Sequence, residues 1–137
     1  MIKVIYDTDP GIDDAVALHF ACECKDIDIV GITTVFGNNT IEVTTRNALY
    51  LKDQFKLDCP VAKGSADPLV IGANPPSVVA HGNDGLGDAF DITPRSTPDS
   101  WQTAQLAGLL EVPEGQRVSV MKRLRKGPVA VRQAPAI

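Results

Sequence analysis

The stretch Asp7-Thr8-Asp9-Pro10-Gly11-Ile12-Asp13-Asp14 crowds four carboxylates into one short segment. Immediately before it, Ile2-Lys3-Val4-Ile5-Tyr6 is a β-branched and aromatic run with the character of a buried strand. Immediately after it, Ala15-Val16-Ala17-Leu18-His19-Phe20-Ala21 reads as a helix with an apolar face. The acids thus fall where a strand gives way to a helix, which is where open α/β sheets bind ligands. Two like charges about 4 Å apart repel by roughly 4 kcal/mol at an effective dielectric near 20. Helix N-termini favour acids through the dipole by some tenths of a kcal/mol. That accounts for Asp13 and Asp14, but not for Asp7 and Asp9, which alternate at the end of the strand. A bound divalent cation removes the repulsion, and a carboxylate oxygen set without a neighbouring His or Cys suits Ca²⁺ or Mg²⁺ rather than zinc. Pro10 fixes φ in the turn and Gly11 permits a close backbone approach.

The segments that follow alternate in type. A helix is expected from about Asp13 to Cys24. A second strand, Ile27 to Val35, is apolar or β-branched almost throughout, as a central parallel strand covered on both faces would be. Gly37-Asn38-Asn39 ends it. Asn39 is placed as cap of a second helix, about Thr40 to Gln54, with Glu42 as its capping-box partner. Pro60-Val61-Ala62 is a short third strand. This order predicts an α/β fold, a Rossmann-like parallel sheet with helices on both faces and right-handed crossovers.

Beyond Lys63 the chain is rich in glycine and proline and reads as one long loop to Asp91, a length that in a compact domain marks function or mobility. His81-Gly82-Asn83-Asp84-Gly85 within it brings an imidazole, an amide and a carboxylate together. Thr97-Pro98 is a helix-start signal, giving a third helix from about Pro98 to Leu110. Arg117 to Met121 is a candidate fourth strand. The division expected is residues 1–95 as the site-bearing part and 96–137 as a helix plus a basic, solvated, partly disordered tail.

Charge divides the same way. Residues 1–115 carry all 17 acids against seven Lys or Arg, a net of −10, while residues 116–137 carry six bases and no acid. The acidic body argues against a nucleic-acid partner, and the basic tail has no interleaved aromatic residues to bind one. No apolar stretch is long enough to span a membrane, and no basic-then-apolar leader opens the chain. Cys22, Cys24 and Cys59 are an odd set with no histidine to complete a metal quartet. They read as reduced thiols, and the expected location is cytoplasmic.

The acid turn through Ala15 resembles the signature of calcium-dependent nucleoside hydrolases of the inosine-uridine-preferring type. The resemblance continues through Gly31-Ile32-Thr33-Thr34-Val35-Phe36-Gly37-Asn38, Thr45-Arg46-Asn47-Ala48, Val61-Ala62-Lys63-Gly64 and His81-Gly82-Asn83-Asp84-Gly85-Leu86-Gly87, in order, over about residues 2–90. It implies cleavage of the N-glycosidic bond of ribonucleosides, a small-molecule nucleoside substrate, Ca²⁺ as cofactor and a homo-oligomer. By the same resemblance Asp9 is calcium ligand and general base, Asp14 binds calcium and Asp7 supports the site. Asp13 and Asn38 hold the ribose, and His81 lies in a loop near the substrate. Relatives are about twice as long, and their second half supplies further calcium and ribose ligands. This chain corresponds to their N-terminal portion, so a half-filled calcium shell and little or no turnover are expected of it alone.

Two other classes compete. A haloacid-dehalogenase-like Mg²⁺ phosphohydrolase also has Asp-x-Asp after its first strand, but Pro10 stands where that family has Thr or Val, and Asp13-Asp14 go unexplained. A non-catalytic protein that binds nucleoside or ribose, or another protein, needs only the half-site.

Overall fold

The computed structural model describes residues 1–68, 72 and 74–99, and the backbone of 119–121. Strand β1 (Ile2–Thr8) leads through the acid turn into helix α1 (Ile12–Glu23). Strand β2 (Ile27–Thr34), helix α2 (Ile41–Phe55) and strand β3 (Val61–Ala62) follow. Helix α3 (Val78–His81) and strand β4 (Ser119–Met121) are the remaining elements among the described residues. All strand pairs are parallel, in the order β3-β2-β1-β4. This is the α/β parallel sheet expected from the alternating segments.

β1 is central, with β2 and β3 to one side and β4 to the other. The strand order reverses beside it, so the carboxyl end of β1 is a switch point of the sheet. That end carries the acid turn. The steps from β1 to β2 and from β2 to β3 run in one direction. Right-handed crossovers therefore place α1 and α2 on the same face, where they touch.

The β1–β2 register shifts between Val4 and Ile5: Val4 pairs with Ile29 but Ile5 with Gly31. The extra residue on β2 brings Thr33 opposite Asp7 and Thr34 opposite Thr8. Without it, each pair near the site would slip by one residue and Asp7 would face Ile32. Strand chemistry next to the acid turn is therefore set by this bulge.

The core joins Tyr6, Leu18, Ile29, Ile32, Ala48, Leu49, Leu51, Cys59 and Val61. α2 turns a full face into it. α1 contributes mainly Leu18 and leaves Ile12, Val16 and Phe20 exposed, so its apolar residues do not all face the core. β3 is shielded on its outer side: Asp99 N–H donates to Val61 O at 2.9 Å, and Val61 N–H donates to Asp99 Oδ2 at 2.9 Å. Capping this edge blocks further strand pairing.

Two expectations need correction. Thr40, not Asn39, caps α2, its hydroxyl accepting from Val43 N–H. The Asn39 side chain accepts from Thr40 N–H at 2.8 Å and donates to Asn83 O at 3.0 Å, so it fastens a distant loop instead. The stretch from Lys63 to Asp91 is not loop throughout, because Val78–His81 forms a helical turn. At the expected start of the third helix, Asp99 lies in an extended bridge to Ala62. The remainder of that expected helix, and the basic tail from Lys122 onward, lie outside the described residues.

Candidate active site

β1 delivers Asp7 and Thr8 at its carboxyl end, and the turn that follows presents Asp9. Asp9 is buried, only 6% exposed. Its Oδ2 accepts the Asn38 backbone N–H at 2.8 Å, and its carbonyl accepts from Asn38 Nδ2 at 2.9 Å. The same Nδ2 also donates to Asp14 Oδ2 at 3.0 Å. Asn38, in the turn that follows β2, thus gathers Asp9 and Asp14 around one amide. Gly37 makes the approach possible: a Cβ there would stand 2.0 Å from Asp9 Oδ2.

Asp14 lies in the first turn of α1, where the helix dipole favours an acid. It accepts from Thr8 Oγ1 at 3.1 Å and from Gly11 N–H at 3.1 Å. Burial holds its pKa above the usual carboxylate value. The Gly11 N–H opposes that rise, the nearby charges of Asp9 and Asp13 add to it, and the Thr8 hydroxyl opposes it. The crowding anticipated from sequence is therefore physical, at least for Asp9 against Asp14.

The other expected residues are placed less uniformly. Asp7 is hydrogen-bonded by the Thr33 hydroxyl across the β1–β2 pair. Asp13 projects outward at the start of α1, its side chain 64% exposed. His81 has been brought to the same spot from far along the chain. Its Nδ1 accepts from Ile12 N–H at 3.3 Å and lies 3.9 Å from an Asp13 oxygen. A Cβ on Gly11 would meet both His81 Nδ1 and Asn38 Nδ2 at 2.7 Å, so that glycine admits the two side chains together.

Several contributors had no role assigned from sequence. Thr8 braces Asp14. Arg46 and Asn47 of α2 reach the Asp84 carbonyl at 2.7 and 2.9 Å, and Asn47 also reaches the Pro10 carbonyl at 3.2 Å. The signal was available: Thr44, Asn47, Ala48 and Leu51 fall at helical spacing on the buried face, and an asparagine there must have polar partners.

The donor set fits a hard divalent cation in kind, being carboxylate oxygen on a strand-to-helix turn, where the charges of Asp9 and Asp13 add to the rise that burial gives the Asp14 pKa. In number it is short. Among the described residues no three of His, Cys, Asp and Glu are grouped to hold a metal, whereas Ca²⁺ takes about six to eight oxygens.

An acidic turn at the switch point of a parallel α/β sheet, with His81 against the start of α1, places the chain among open α/β proteins, the class whose sheets take ligands at this edge. Within it the assignment is specific: residues 4–131 match the model of the inosine-uridine preferring nucleoside hydrolase family, and the chain belongs to that family of enzymes. It is 48% identical over 103 residues to the probable uridine nucleosidase 2 of Oryza sativa subsp. japonica, covering 74% of this chain and 31% of that one. It is 44% identical over 103 residues to uridine nucleosidase 1 of Arabidopsis thaliana, covering 74% and 30%. Among solved structures it resembles a plant nucleoside hydrolase, PpNRh1, with TM-score 0.69 and 36% identity over 74% of this chain and 32% of the other. It also resembles an inosine-guanosine nucleoside hydrolase, with TM-score 0.73 and 31% identity over 87% and 36%. The matched stretch spans about a third of the length of these relatives. Family membership removes the haloacid-dehalogenase alternative.

Proposed function

We propose that the acid turn serves hydrolysis of the N-glycosidic bond of a ribonucleoside, with Ca²⁺ as the cation and Asp9 as general base. The observation that carries this is the convergence of Asp9 and Asp14 on Asn38 at the carboxyl edge of β1. Asp9 and Asp14 would hold the cation, with Asp7 supporting from the Thr33 side. When bound, the cation would orient water and the ribose diol and favour the ionised form of the water.

The chain's own groups supply the rest. Glycosidic cleavage passes through an oxocarbenium-like sugar. Negative charge from Asp9, Asp13 and Asp14 favours that cationic sugar. As water adds to C1′, one of its protons passes to the Asp9 carboxylate, and the bonding pair of the N-glycosidic bond leaves with the base. Asn38 fixes where those carboxylates stand, its backbone N–H on Asp9 Oδ2 and its side-chain Nδ2 on Asp14 Oδ2, at the edge that would face the ribose. Asp13, exposed at the same edge, takes a ribose hydroxyl. His81, held at the N-terminus of α1, borders the substrate.

The short donor set supports slow turnover by the 137-residue chain alone. Each transition-state contact is typically worth about 10²–10³-fold in rate. The same shortage favours a second reading, in which the half-site binds nucleoside or ribose without turnover. The free state of Cys22, Cys24 and Cys59 supports a reducing, cytoplasmic location, and the family's homo-oligomeric habit is carried over with the function.

The test is purified chain with inosine and uridine, assayed for binding and for ribose release with Ca²⁺ and with EDTA. Binding that requires Ca²⁺ and is lost in Asp9→Asn supports the proposal, with ribose release expected near the detection limit. Binding indifferent to both contradicts it. Robust release abolished by Asp9→Asn would show that these residues suffice for catalysis.

A further inference from the structure

Asn47 is completely buried in α2. Its Nδ2 donates to Pro10 O at 3.2 Å and to Asp84 O at 2.9 Å, while its Oδ1 accepts from Arg46 Nε at 3.2 Å and Nη2 at 3.0 Å. The partners fix the orientation of the amide. A flipped group would aim its oxygen at two carbonyls and its NH₂ at a guanidinium. Every hydrogen-bonding capacity of the amide nitrogen is thereby spent on two segments that are remote in sequence. Pro10 follows Asp9 in the acid turn. Asp84 belongs to the loop that begins with His81. Arg46 Nη2 reaches the same Asp84 carbonyl at 2.7 Å, so the loop is gripped twice.

The loop is shaped to receive this grip. Gly85 has φ +81°, and a Cβ there would stand 2.7 Å from Asn47 Nδ2. The Asp84 side chain turns back to accept Leu86 N–H at 2.7 Å and Asp88 N–H at 3.0 Å, which keeps its carbonyl facing α2.

We propose that Asn47, assisted by Arg46, is a positioning residue that holds the acid turn and the His81 loop in one fixed relation, and so sets the placement of Asp9 for its ligand. It touches neither cation nor substrate and acts through the Pro10 carbonyl. The ligand half of this inference rests on the function proposed above. The geometric half does not.

The experiment uses the full chain in two readouts. The first is Ca²⁺ affinity by calorimetry, at a temperature where each variant is folded. The second, without metal, is hydrogen exchange at the Asn38 amide, whose N–H bonds to Asp9 Oδ2. Asn47→Ser shortens the side chain so that it no longer spans both carbonyls. Leu49→Val, on the same helix and in the core, is the control for a general loss of stability. Residues that orient metal ligands typically change affinity by about 10–100-fold. That weakening, with faster exchange at Asn38, is expected for Asn47→Ser and absent in the control. Asn38 protection unchanged in Asn47→Ser, or lost equally in Leu49→Val, overturns the inference. If the unaltered chain binds no Ca²⁺, the proposed function fails, and the exchange result alone decides the positioning role. Should Asn47→Ser not fold, Gly85→Ala perturbs the same junction from the loop side and must give the same pattern.

Discussion

Asn38 and Asp9 are joined twice: backbone N–H to carboxylate Oδ2 at 2.8 Å, and side-chain Nδ2 to backbone carbonyl at 2.9 Å. The turn after β2 therefore grips both the side chain and the main chain of the residue proposed as base. Moving either residue moves the other, which makes the glycine beside Asn38 a sensitive position.

Gly37→Ala is expected to displace the Asp9 carboxylate, since the added methyl would lie 2.0 Å from Oδ2. Overpacking of this kind costs about 1–3 kcal/mol. Urea denaturation should show that loss, and Ca²⁺ should no longer stabilise the variant. A variant as stable and as Ca²⁺-responsive as the parent would mean that Asp9 has room to move.

Thr8→Val keeps the shape of a nearly fully buried side chain but removes the hydroxyl that donates to Asp14 Oδ1 at 3.1 Å. Hydrogen bonds to charged groups contribute about 1.5–3 kcal/mol. Near neutral pH, chemical denaturation should show a loss in that range. Thr33→Val, which removes the donor to Asp7 instead, should lower stability while leaving the placement of Asp14 intact.

Asp53 provides a pH-dependent stability increment away from the site. Burial raises its pKa. Hydrogen bonds from the Ser96 hydroxyl, Ser96 N–H and Arg95 N–H, with the charge of Arg95, outweigh burial, and the net shift is downward. A carboxylate with a depressed folded-state pKa adds stability that is fully present above its ordinary pKa. That stability is lost as pH falls through the folded value. Asp53→Asn should accordingly cost stability at neutral pH and flatten the decline between neutral and acidic pH. Parallel profiles for the two proteins would exclude the contribution.

The fold was legible in sequence where local pattern and tertiary role agree. Ile27 to Val35 is apolar or β-branched almost throughout because β2 lies inside the sheet between β3 and β1, with Ile29, Ile32, Thr33 and Thr34 buried, and Asp9 and Asp14 stand out because so many acids in one turn need a reason. The errors share a different origin. Asn39 and Thr40 are both competent caps, and the choice was made by Asn83, forty-odd positions away, which claims the Asn39 amide. The bulge on β2 that sets Thr33 against Asp7 is marked in the sequence only by Gly31, the residue beside the shift, which by itself does not say which way the register moves. Asn47 was visible as a polar residue on a buried helical face, but its two partners are separated from it by more than thirty residues in either direction.

The thermal midpoint of the purified chain, with and without millimolar Ca²⁺, for the parent and for Asp9→Ala, tests most directly whether the acid turn is a cation site. A ligand that binds only the folded state stabilises it by about 2.7 kcal/mol at a hundredfold excess over Kd. A site short of its full oxygen shell gives less at the same concentration. The expected result is a midpoint that rises with Ca²⁺ in the parent and does not move in Asp9→Ala. Midpoints unchanged by Ca²⁺ in both proteins would contradict a cation site at Asp9 and Asp14.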